Sequence, residues 1–309
     1  MNTKNKLHPA LKVELLTKNK FLKNARVIDF LKRKGLQCLK DQDYKENILP
    51  FSYILQNITL KKYFTPNFPW EISYRFKESQ GTVKIHLHNK FDPEKPSIIY
   101  HHGIGEIYHP AQIHFVFNQS FLENFNVFSI KASHHESVGE VINSYINNLT
   151  NFNSGIAGSY YAFDEVIRLH HEMSQKPVIA CGVSLGGIIA SLHYYLEGSA
   201  DLYFPIISHP DLSKIILDPT HKSVIRNQEL LKKNASLKTC YKIPSNLMSR
   251  PKVKIFPILG RLDLTVNFED AQKLWSGYQV LTLDTGHSSI FFRRNEIQSY
   301  ILSKIPDLK

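Results

Sequence analysis

The sequence predicts an α/β protein whose central sheet of about eight mostly parallel strands is flanked by helices. From residue 97 onwards, short apolar segments alternate with segments of helical pattern, which is typical of strands joined by crossover helices. Most of these apolar segments show no polar alternation, as expected for parallel strands that are buried on both faces. The chain has 309 residues, 42% of them hydrophobic, which is enough to bury one large core.

The predicted elements follow one another in a regular order. The first 60 or so residues have helical and irregular patterns. Two alternating segments, residues 70–76 and 83–87, then predict an antiparallel hairpin that opens the sheet. Continuous apolar segments predict six further strands, at residues 98–101, 127–130, 178–181, 202–207, 253–259 and 280–283. The clearest helical patterns between them cover residues 160–173 and 185–196.

These patterns divide the chain into a basic N-terminal helical extension, residues 1–64, and one main domain, residues 65–309. Within the main domain, residues 209–250 interrupt the alternation between the sixth and seventh predicted strands. Parallel sheets have their sites at the carboxyl ends of the strands, and an insertion of this length often covers a pocket. We therefore interpret residues 209–250 as a lid insertion, with residues 227–233 as its clearest helix.

Most of the positive charge lies in the N-terminal extension. Residues 1–34 hold ten Lys or Arg and two acids, so +8 of the net charge of +11 lies there. Four apolar residues recur at helical spacing in this segment: Phe21, Ala25, Ile28 and Leu31. An amphipathic helix of this kind can bind an anionic membrane surface or pack on the rest of the protein. No reading motif accompanies the charge, so we expect no nucleic-acid partner.

Cysteine usage and the N-terminal residues predict a cytoplasmic protein. Only Cys38, Cys181 and Cys240 are present, without the spacing of a disulfide framework or a zinc cluster, so we expect reduced thiols. The first residues lack the apolar stretch of a signal peptide, and the sequence contains no run of about 18 apolar residues. We therefore expect a cytoplasmic location.

A serine at a strand-to-helix turn is the first candidate for chemistry. Ser184 lies at the centre of the sequence Gly-Val-Ser-Leu-Gly (182–186), between an apolar strand and a helical segment. This is the setting of the Gly-x-Ser-x-Gly motif, in which a strained turn exposes the serine hydroxyl and small neighbours let strand and helix approach closely. The amide of Leu185, at the positive end of the helix dipole, is the first oxyanion donor. The alternative is a glycine-rich turn without chemistry.

Chain order supplies a base and an acid for this serine. A serine nucleophile needs a base, and the base needs a group that fixes its tautomer. His287 follows the last predicted strand and Asp263 follows the strand before it, both after the serine as the motif requires. His287 could instead be a surface or core histidine. Three other aspartates compete for the orienting role: Asp218, Asp270 and Asp284.

A second oxyanion donor is expected from the loop after the third predicted strand. That strand ends in His-His-Gly-Ile-Gly (101–105), and the glycines let the backbone approach a substrate closely. The amide of Ile104 is the candidate, with the amide of Gly103 as the alternative. The alternative interpretation of the whole loop is a simple turn.

Histidines also cluster at the predicted strand ends: His101, His102, His134, His135 and His209. With Glu136 and Asp211 nearby in sequence, they offer a metal site as an alternative. However, their spacing matches no zinc motif, and adjacent histidines on a strand point to opposite faces. We therefore expect neither a metal nor a cofactor.

Through the His102-Gly103 loop, the turn at Ser184, and Asp263 and His287 in that order, residues 65–305 resemble the α/β-hydrolase superfamily. The resemblance implies an α/β-hydrolase fold with its catalytic domain in residues 65–309. It also implies a two-step acyl transfer in which Ser184 attacks a carbonyl, His287 takes its proton, and water releases the acyl group from the enzyme.

The leading interpretation of this resemblance is a serine hydrolase of carboxylic esters or related acyl bonds, with a small-molecule or lipid acyl substrate. One alternative is a non-catalytic binding or scaffold protein on the same fold. The other is a membrane-associated acyl-lipid hydrolase, thioesterase or peptidase, directed to an anionic surface by the N-terminal extension.

Overall fold

A mixed β-sheet runs through the computed structural model, which describes residues 34–40, 48–107, 113–241 and 254–305. Within these residues the sheet has nine strands. They are β1 (Thr59–Tyr63), β2 (Trp70–Phe76), β3 (Ser79–Leu87), β4 (Ser97–His101), β5 (Asn126–Lys131), β6 (Val178–Val183), β7 (Leu202–Ile206), β8 (Ile258–Gly260) and β9 (Leu281–Leu283). The predicted α/β fold with a mostly parallel sheet is confirmed.

The two halves of the sheet differ in strand direction. The strand order is β1-β2-β3-β5-β4-β6-β7-β8-β9. The first four strands in this order pair antiparallel, whereas the pairs from β5–β4 to β8–β9 are all parallel. Parallel neighbours need crossover connections, and helices supply them. The carboxyl ends of the parallel strands therefore share one edge of the sheet, and the candidate residues follow those ends.

Helices cover both faces of the sheet. Those in the described residues are α1 (Phe51–Asn57), α2 (Ile113–Val116), α3 (Gln119–Leu122), α4 (Val138–Glu140), α5 (Leu149–Met173), α6 (Leu185–Leu196), α7 (Leu212–Ile216), α8 (Gln228–Lys233), α9 (Ala235–Cys240), α10 (Phe268–Leu274) and α11 (Arg294–Leu302). A π-helical turn covers Val141–Tyr145, and 3-10 turns cover Pro219–His221 and Ser289–Arg293.

Burial on both faces explains the apolar strands. On β4, Ile99 belongs to one apolar cluster, and Ile98 and Tyr100 belong to the other. The first cluster lies under α5, which packs on β2 and β3, and under α6, which packs on β6 and β7. The second lies under α2, α3 and α11. A polar residue at any of these strand positions would lose its water without gaining a partner.

The largest differences from the predicted elements concern β1, α5 and β8. Strand β1 is additional, since its mostly exposed side chains leave no apolar alternation in the sequence. Helix α5 begins at Leu149, well before the predicted start. The strand predicted over residues 253–259 is reduced to Ile258–Gly260, preceded by a single bridge between Ile255 and Tyr203. Pro257 lies between them and has no N–H to donate to a ladder.

The insertion after residue 209 lies between β7 and β8, the counterparts of the sixth and seventh predicted strands. Its described part carries α7, α8 and α9, and α8 matches the helix predicted there. The predicted amphipathic helix around Phe21 to Leu31 lies outside the described residues, as do residues 242–250 of the insertion. Of the helices in the described ranges, none combines the length and apolarity that crossing a bilayer requires.

Candidate active site

Ser184 occupies the sharp turn between β6 and α6. Its backbone lies at φ 54° and ψ −110°, a left-handed conformation that costs free energy for a residue with a Cβ. Hydrogen bonds on both sides hold the turn: Ser184 N–H donates to the carbonyl of Ile206 on β7 (2.9 Å), and its own carbonyl accepts from Ile188 of α6 (2.9 Å). The turn therefore projects the hydroxyl beyond the carboxyl end of the sheet.

Two glycines make this turn possible. A Cβ on Gly182 would overlap the backbone of Gly186, and a Cβ on Gly186 would overlap the carbonyl of His101 at the end of β4. Strand β6, helix α6 and strand β4 therefore approach one another at distances that only hydrogen side chains allow. This contact accounts for the spacing of the motif that was recognised in the sequence.

The structure brings His287 and Asp263 to this serine. His287 Nε2 lies 2.9 Å from Ser184 Oγ, and His287 Nδ1 lies 2.7 Å from Asp263 Oδ2. The other carboxylate oxygen, Oδ1, accepts the backbone N–H groups of Thr265 (2.7 Å) and Val266 (3.0 Å). With Nδ1–H donating to the carboxylate, Nε2 is free to accept the serine proton. Such a chain of hydrogen bonds can activate the hydroxyl as a nucleophile.

The loops that carry the histidine and the acid are joined to each other. Leu262 N–H donates to the carbonyl of Thr285 (2.9 Å), and Gly286 N–H donates to Ser289 Oγ (2.8 Å). The first bond joins the two loops where they leave β8 and β9, and the second lies within the loop that carries His287. The side chain of Asp263 is only 2% exposed and that of His287 is 14% exposed, so water competes little with their contact.

The three competing aspartates contact other groups. Asp218 accepts the backbone N–H of Thr220 (2.8 Å) and caps the 3-10 turn that follows it. Asp270 lies in the first turn of α10, 3.9 Å from Lys214, and Asp284 pairs with Arg261 at 3.1 Å. Of the four aspartates considered from the sequence, it is Asp263 that the structure brings into contact with His287.

The candidate oxyanion donors belong to two segments that lie next to the serine. Leu185 is the first residue of α6, so its N–H has no acceptor within the helix. The loop after β4 also lies next to Ser184: a Cβ on Gly103 would lie 3.5 Å from the Cβ of Ser184. This loop is attached to α6 by the N–H of Gly186, which donates to the carbonyl of His102 (3.1 Å). The backbone of the candidate donors at Leu185 and Gly103 therefore lies next to Ser184.

The side chain of His102 supports the same loop. Its Nε2 accepts the backbone N–H of Ala132 (3.0 Å), so Nδ1 carries the proton and donates to the carbonyl of Gly103 (2.7 Å). Burial lowers the pKa of His102 to about 4, which keeps the ring neutral and in this tautomer at pH 7. The ring thus ties the loop to the end of β5.

The histidine cluster is more compact than the sequence predicts. The rings of His101 and His102 stack with centroids 4.9 Å apart, and the ring of His135 lies 4.9 Å from that of His102. The expectation that neighbouring histidines point to opposite faces is wrong here, because His101 ends β4 and the strand alternation stops with it. His134 and His209 bond to backbone groups instead. Across the described parts of the chain, no three His, Cys, Asp or Glu side chains form a group able to hold a metal ion.

Comparisons with known proteins address the fold. No protein-family model and no curated protein matches the sequence. Acetyl xylan esterase 1 from Thermoanaerobacterium sp. matches with a TM-score of 0.54 at 15% identity, over 87% of this chain and 95% of that one. Est1E from Butyrivibrio proteoclasticus gives 0.52 at 13% identity, over 76% and 98%. Acylaminoacyl peptidase from Pyrococcus horikoshii gives 0.50 at 9% identity, over 84% and 44%.

The chain has the α/β-hydrolase fold. Identities this low concern the architecture and leave the substrate open. Within this architecture, Ser184 follows a central strand, Asp263 follows β8 and His287 follows β9. This is the chain order in which α/β-hydrolases carry a nucleophile, an acid and a histidine.

A cavity of about 110 Å³ opens beside Ser184 in this protein. Ser184, Leu185 and Ile104 form one end of it. The insertion contributes a wall from α7 and from the segment around residue 224. Further apolar side chains come from three other segments: Cys38 and Leu39, Ile146 and Phe152, and Thr265 and Val266.

Several of these groups were not identified from the sequence. The amides of Thr265 and Val266 bind Asp263, and the only local signal was the small polar residue two positions after the aspartate, which is typical of an Asx turn. The hydrogen bond from the N–H of Ala132, which follows β5, to His102 Nε2 was also missed. It joins residues 30 positions apart, and such a contact leaves no pattern in the sequence. The pocket residues 38 and 39 lie in what the sequence suggested was a separate extension.

Proposed function

We propose that this protein is a serine hydrolase that cleaves carboxylic esters, with Ser184 as nucleophile, His287 as general base and Asp263 as the group that orients the histidine. The observation that carries the proposal is the continuous set of hydrogen bonds from Ser184 Oγ to His287 (2.9 Å) and from His287 to Asp263 (2.7 Å). The proposed oxyanion donors are the amides of Leu185 and Ile104, with Gly103 as the alternative to Ile104.

In the first step, Ser184 Oγ attacks the ester carbonyl carbon while its proton passes to His287 Nε2. The carbonyl oxygen becomes an oxyanion and accepts the two amide N–H groups. The C–O bond to the alcohol then breaks, and His287 returns the proton to the leaving oxygen. In the second step, water takes the place of the alcohol: it loses a proton to His287 and attacks the acyl carbon. The bond between the acyl carbon and Ser184 Oγ then breaks, His287 returns the proton to Oγ, and the acid leaves.

The alternatives differ in how well the site supports them. A scaffold protein has no need for a strained serine at φ 54° that bonds to a half-buried histidine, and strain of this kind is typical of functional sites. Thioesters and amides use the same residues, so a thioesterase or peptidase differs only in the bond cleaved. Of the three matched structures described above, one is an acetyl xylan esterase, one is Est1E and one is an acylaminoacyl peptidase. Membrane attachment by the N-terminal extension stays a prediction.

Steady-state hydrolysis of p-nitrophenyl butanoate by wild type and by Ser184→Ala tests the proposal. We expect the substitution to lower kcat by about 10³-fold or more, since removal of a triad serine costs at least this much. The matched control is Ser191→Ala in the same helix, where the hydroxyl is fully buried and bonds to the carbonyl of Gly187 (2.7 Å). Equal turnover in all three proteins would refute the proposal.

A further inference from the structure

We infer that residues 38–40, which precede the sheet in the sequence, form a structural wall of the acyl pocket and determine which acyl groups the site accepts. We call these residues the pocket strap. The inference rests on the proposed ester hydrolysis and adds a specificity element from outside the strands and helices that carry the candidate catalytic residues.

The pocket strap is attached to two separate parts of the protein. On one side, Cys38 N–H donates to the carbonyl of Val224 (2.8 Å), and the N–H of Arg226 donates to the carbonyl of Cys38 (3.2 Å). On the other side, Leu39 and Lys40 donate to the carbonyls of residues 146 and 147, at 2.9 and 2.6 Å. Four backbone hydrogen bonds therefore join the strap, the insertion and the segment before α5.

A left-handed residue allows the strap to bond on both sides. Leu39 has φ 53°, which is uncommon for a residue with a Cβ. In an extended chain, successive N–H groups point in opposite directions, whereas those of Leu39 and Lys40 both reach the segment of residues 146–147. At this turn Leu39 is buried: it is 3% exposed, and it lines the cavity.

The cavity favours an uncharged guest. None of the described residues that line it is Asp, Glu, Lys or Arg. Burial raises the pKa of the Cys38 thiol to about 11, so this side chain is also neutral at pH 7. The lining residue His221 has its Nδ1 bonded to the carbonyl of Ile215 (2.8 Å). A charged acyl chain would lose its water here without meeting a carboxylate, ammonium or guanidinium group, and this desolvation is costly. An aliphatic chain, in contrast, would replace water against isoleucine, leucine and valine side chains.

The position of the cavity points to the acyl group and not to the alcohol. The leaving oxygen has to receive its proton from His287 Nε2, so the alcohol lies on the histidine side of the serine. His287 is absent from the described lining residues, whereas Leu185 and Ile104, the candidate oxyanion donors, are among them. The chain attached to the carbonyl carbon therefore extends from Ser184 towards Leu39 and the insertion.

The size of the cavity limits the length of that chain. An engineered protein cavity of about 150 Å³ binds benzene, which has six carbons. By this standard the cavity of about 110 Å³ beside Ser184 holds an acyl group of roughly four to six carbons. We therefore assign the site to short, uncharged acyl groups, with the strap as one limit on their length.

The test measures kcat/KM for p-nitrophenyl esters of increasing acyl length, from acetate to decanoate, with wild type, Leu39→Ala and Cys38→Ala. For wild type we expect a maximum between butanoate and hexanoate. Both strap variants enlarge the pocket, so the ratio of kcat/KM for decanoate to that for butanoate should rise roughly tenfold. The matched control is Leu122→Ala, since Leu122 is 4% exposed in the opposite apolar cluster and does not line the cavity.

The outcomes separate the inference from the function on which it rests. If wild type hydrolyses no ester and a fluorophosphonate does not label it, the proposed function fails and the inference fails with it. If wild type is active and labelled but both folded strap variants keep the wild-type ratio, the function stands and the inference is wrong. The same holds if one variant alone folds and keeps the wild-type ratio.

Discussion

Asp263 shows at the scale of one residue how a buried carboxylate is held in position. Both of its oxygens have donors: two backbone N–H groups at Oδ1 and the ring N–H of His287 at Oδ2. The backbone bonds orient the carboxylate independently of the histidine, so the pair does not depend on a flexible contact. A carboxylate in this position selects the tautomer of His287 that leaves Nε2 free to take a proton.

Asp263→Asn should lower kcat for ester hydrolysis by roughly 10³- to 10⁴-fold, because an amide in this place favours the wrong histidine tautomer. The control is Asp284→Asn, which removes an exposed partner of Arg261 and leaves the site untouched. Steady-state kinetics on both variants, with unfolding curves to establish that each is folded, provide the measurement. If Asp263→Asn kept the wild-type kcat, the orienting role would belong to another group.

At the scale of the element, the turn from β6 into α6 depends on close packing. Helix α6 begins directly after Ser184, and its second residue, Gly186, lies against the carbonyl of His101 at the end of β4. The same residue donates its N–H to the carbonyl of His102. The glycine thus joins the turn at Ser184 to the loop that carries the second candidate oxyanion donor.

Gly186→Ala should destabilise the protein by about 3 kcal/mol or more, since the new Cβ would overlap the backbone of His101 and force α6 away from β4. Gly139→Ala is the control, because its Cβ would meet only Ser137 Oγ, at 3.7 Å. We expect that variant to change stability by no more than about 1 kcal/mol. Urea unfolding of the three proteins measures the difference, and equal midpoints would contradict this description of the turn.

The sequence predicts those elements best whose pattern arises from local burial. Examples of such elements are β2, β6 and α6, because continuous or alternating apolar residues mark them in the sequence. The first turns of α5 lack such a pattern, because Gly155 and Gly158 are poor helix formers that are needed there for close contact with Tyr145 and Tyr74. Tertiary packing overrides helix propensity at such positions.

The same distinction applies to the site. Ser184, Asp263 and His287 could be selected from the sequence because each follows a recognisable strand, in an order that the motif requires. The strap at Cys38 could not, because its contacts with Val224 and with residue 146 span more than a hundred positions and leave no periodic pattern.

At the scale of the whole molecule, buried histidines couple stability to pH. His101, His102 and His135 are fully buried, and burial lowers the pKa of His102 to about 4 and those of the other two well below the ordinary range. In the unfolded chain each would titrate near 6.5. Below that pH the unfolded state binds more protons than the folded state, so acid favours unfolding.

The free energy of unfolding should therefore be fully retained above about pH 6.5 and fall as the pH decreases towards 4, by on the order of 1 kcal/mol per histidine for each pH unit. Urea unfolding at pH 7.5, 6.5 and 5.5 measures this slope. His135→Leu should reduce this slope by the contribution of one histidine, on the order of 1 kcal/mol for each pH unit. A wild-type stability that is constant over this range would contradict the argument.

The central claim is that Ser184 is an activated nucleophile, and covalent labelling tests it most directly. We expect a fluorophosphonate to add one phosphonyl group to the intact wild-type protein, and peptide mass spectrometry to locate it on Ser184. Ser184→Ala should remain unlabelled, while Ser191→Ala should be labelled as wild type is. A folded wild-type protein that takes up no phosphonate, or that carries it on another residue, would contradict the claim.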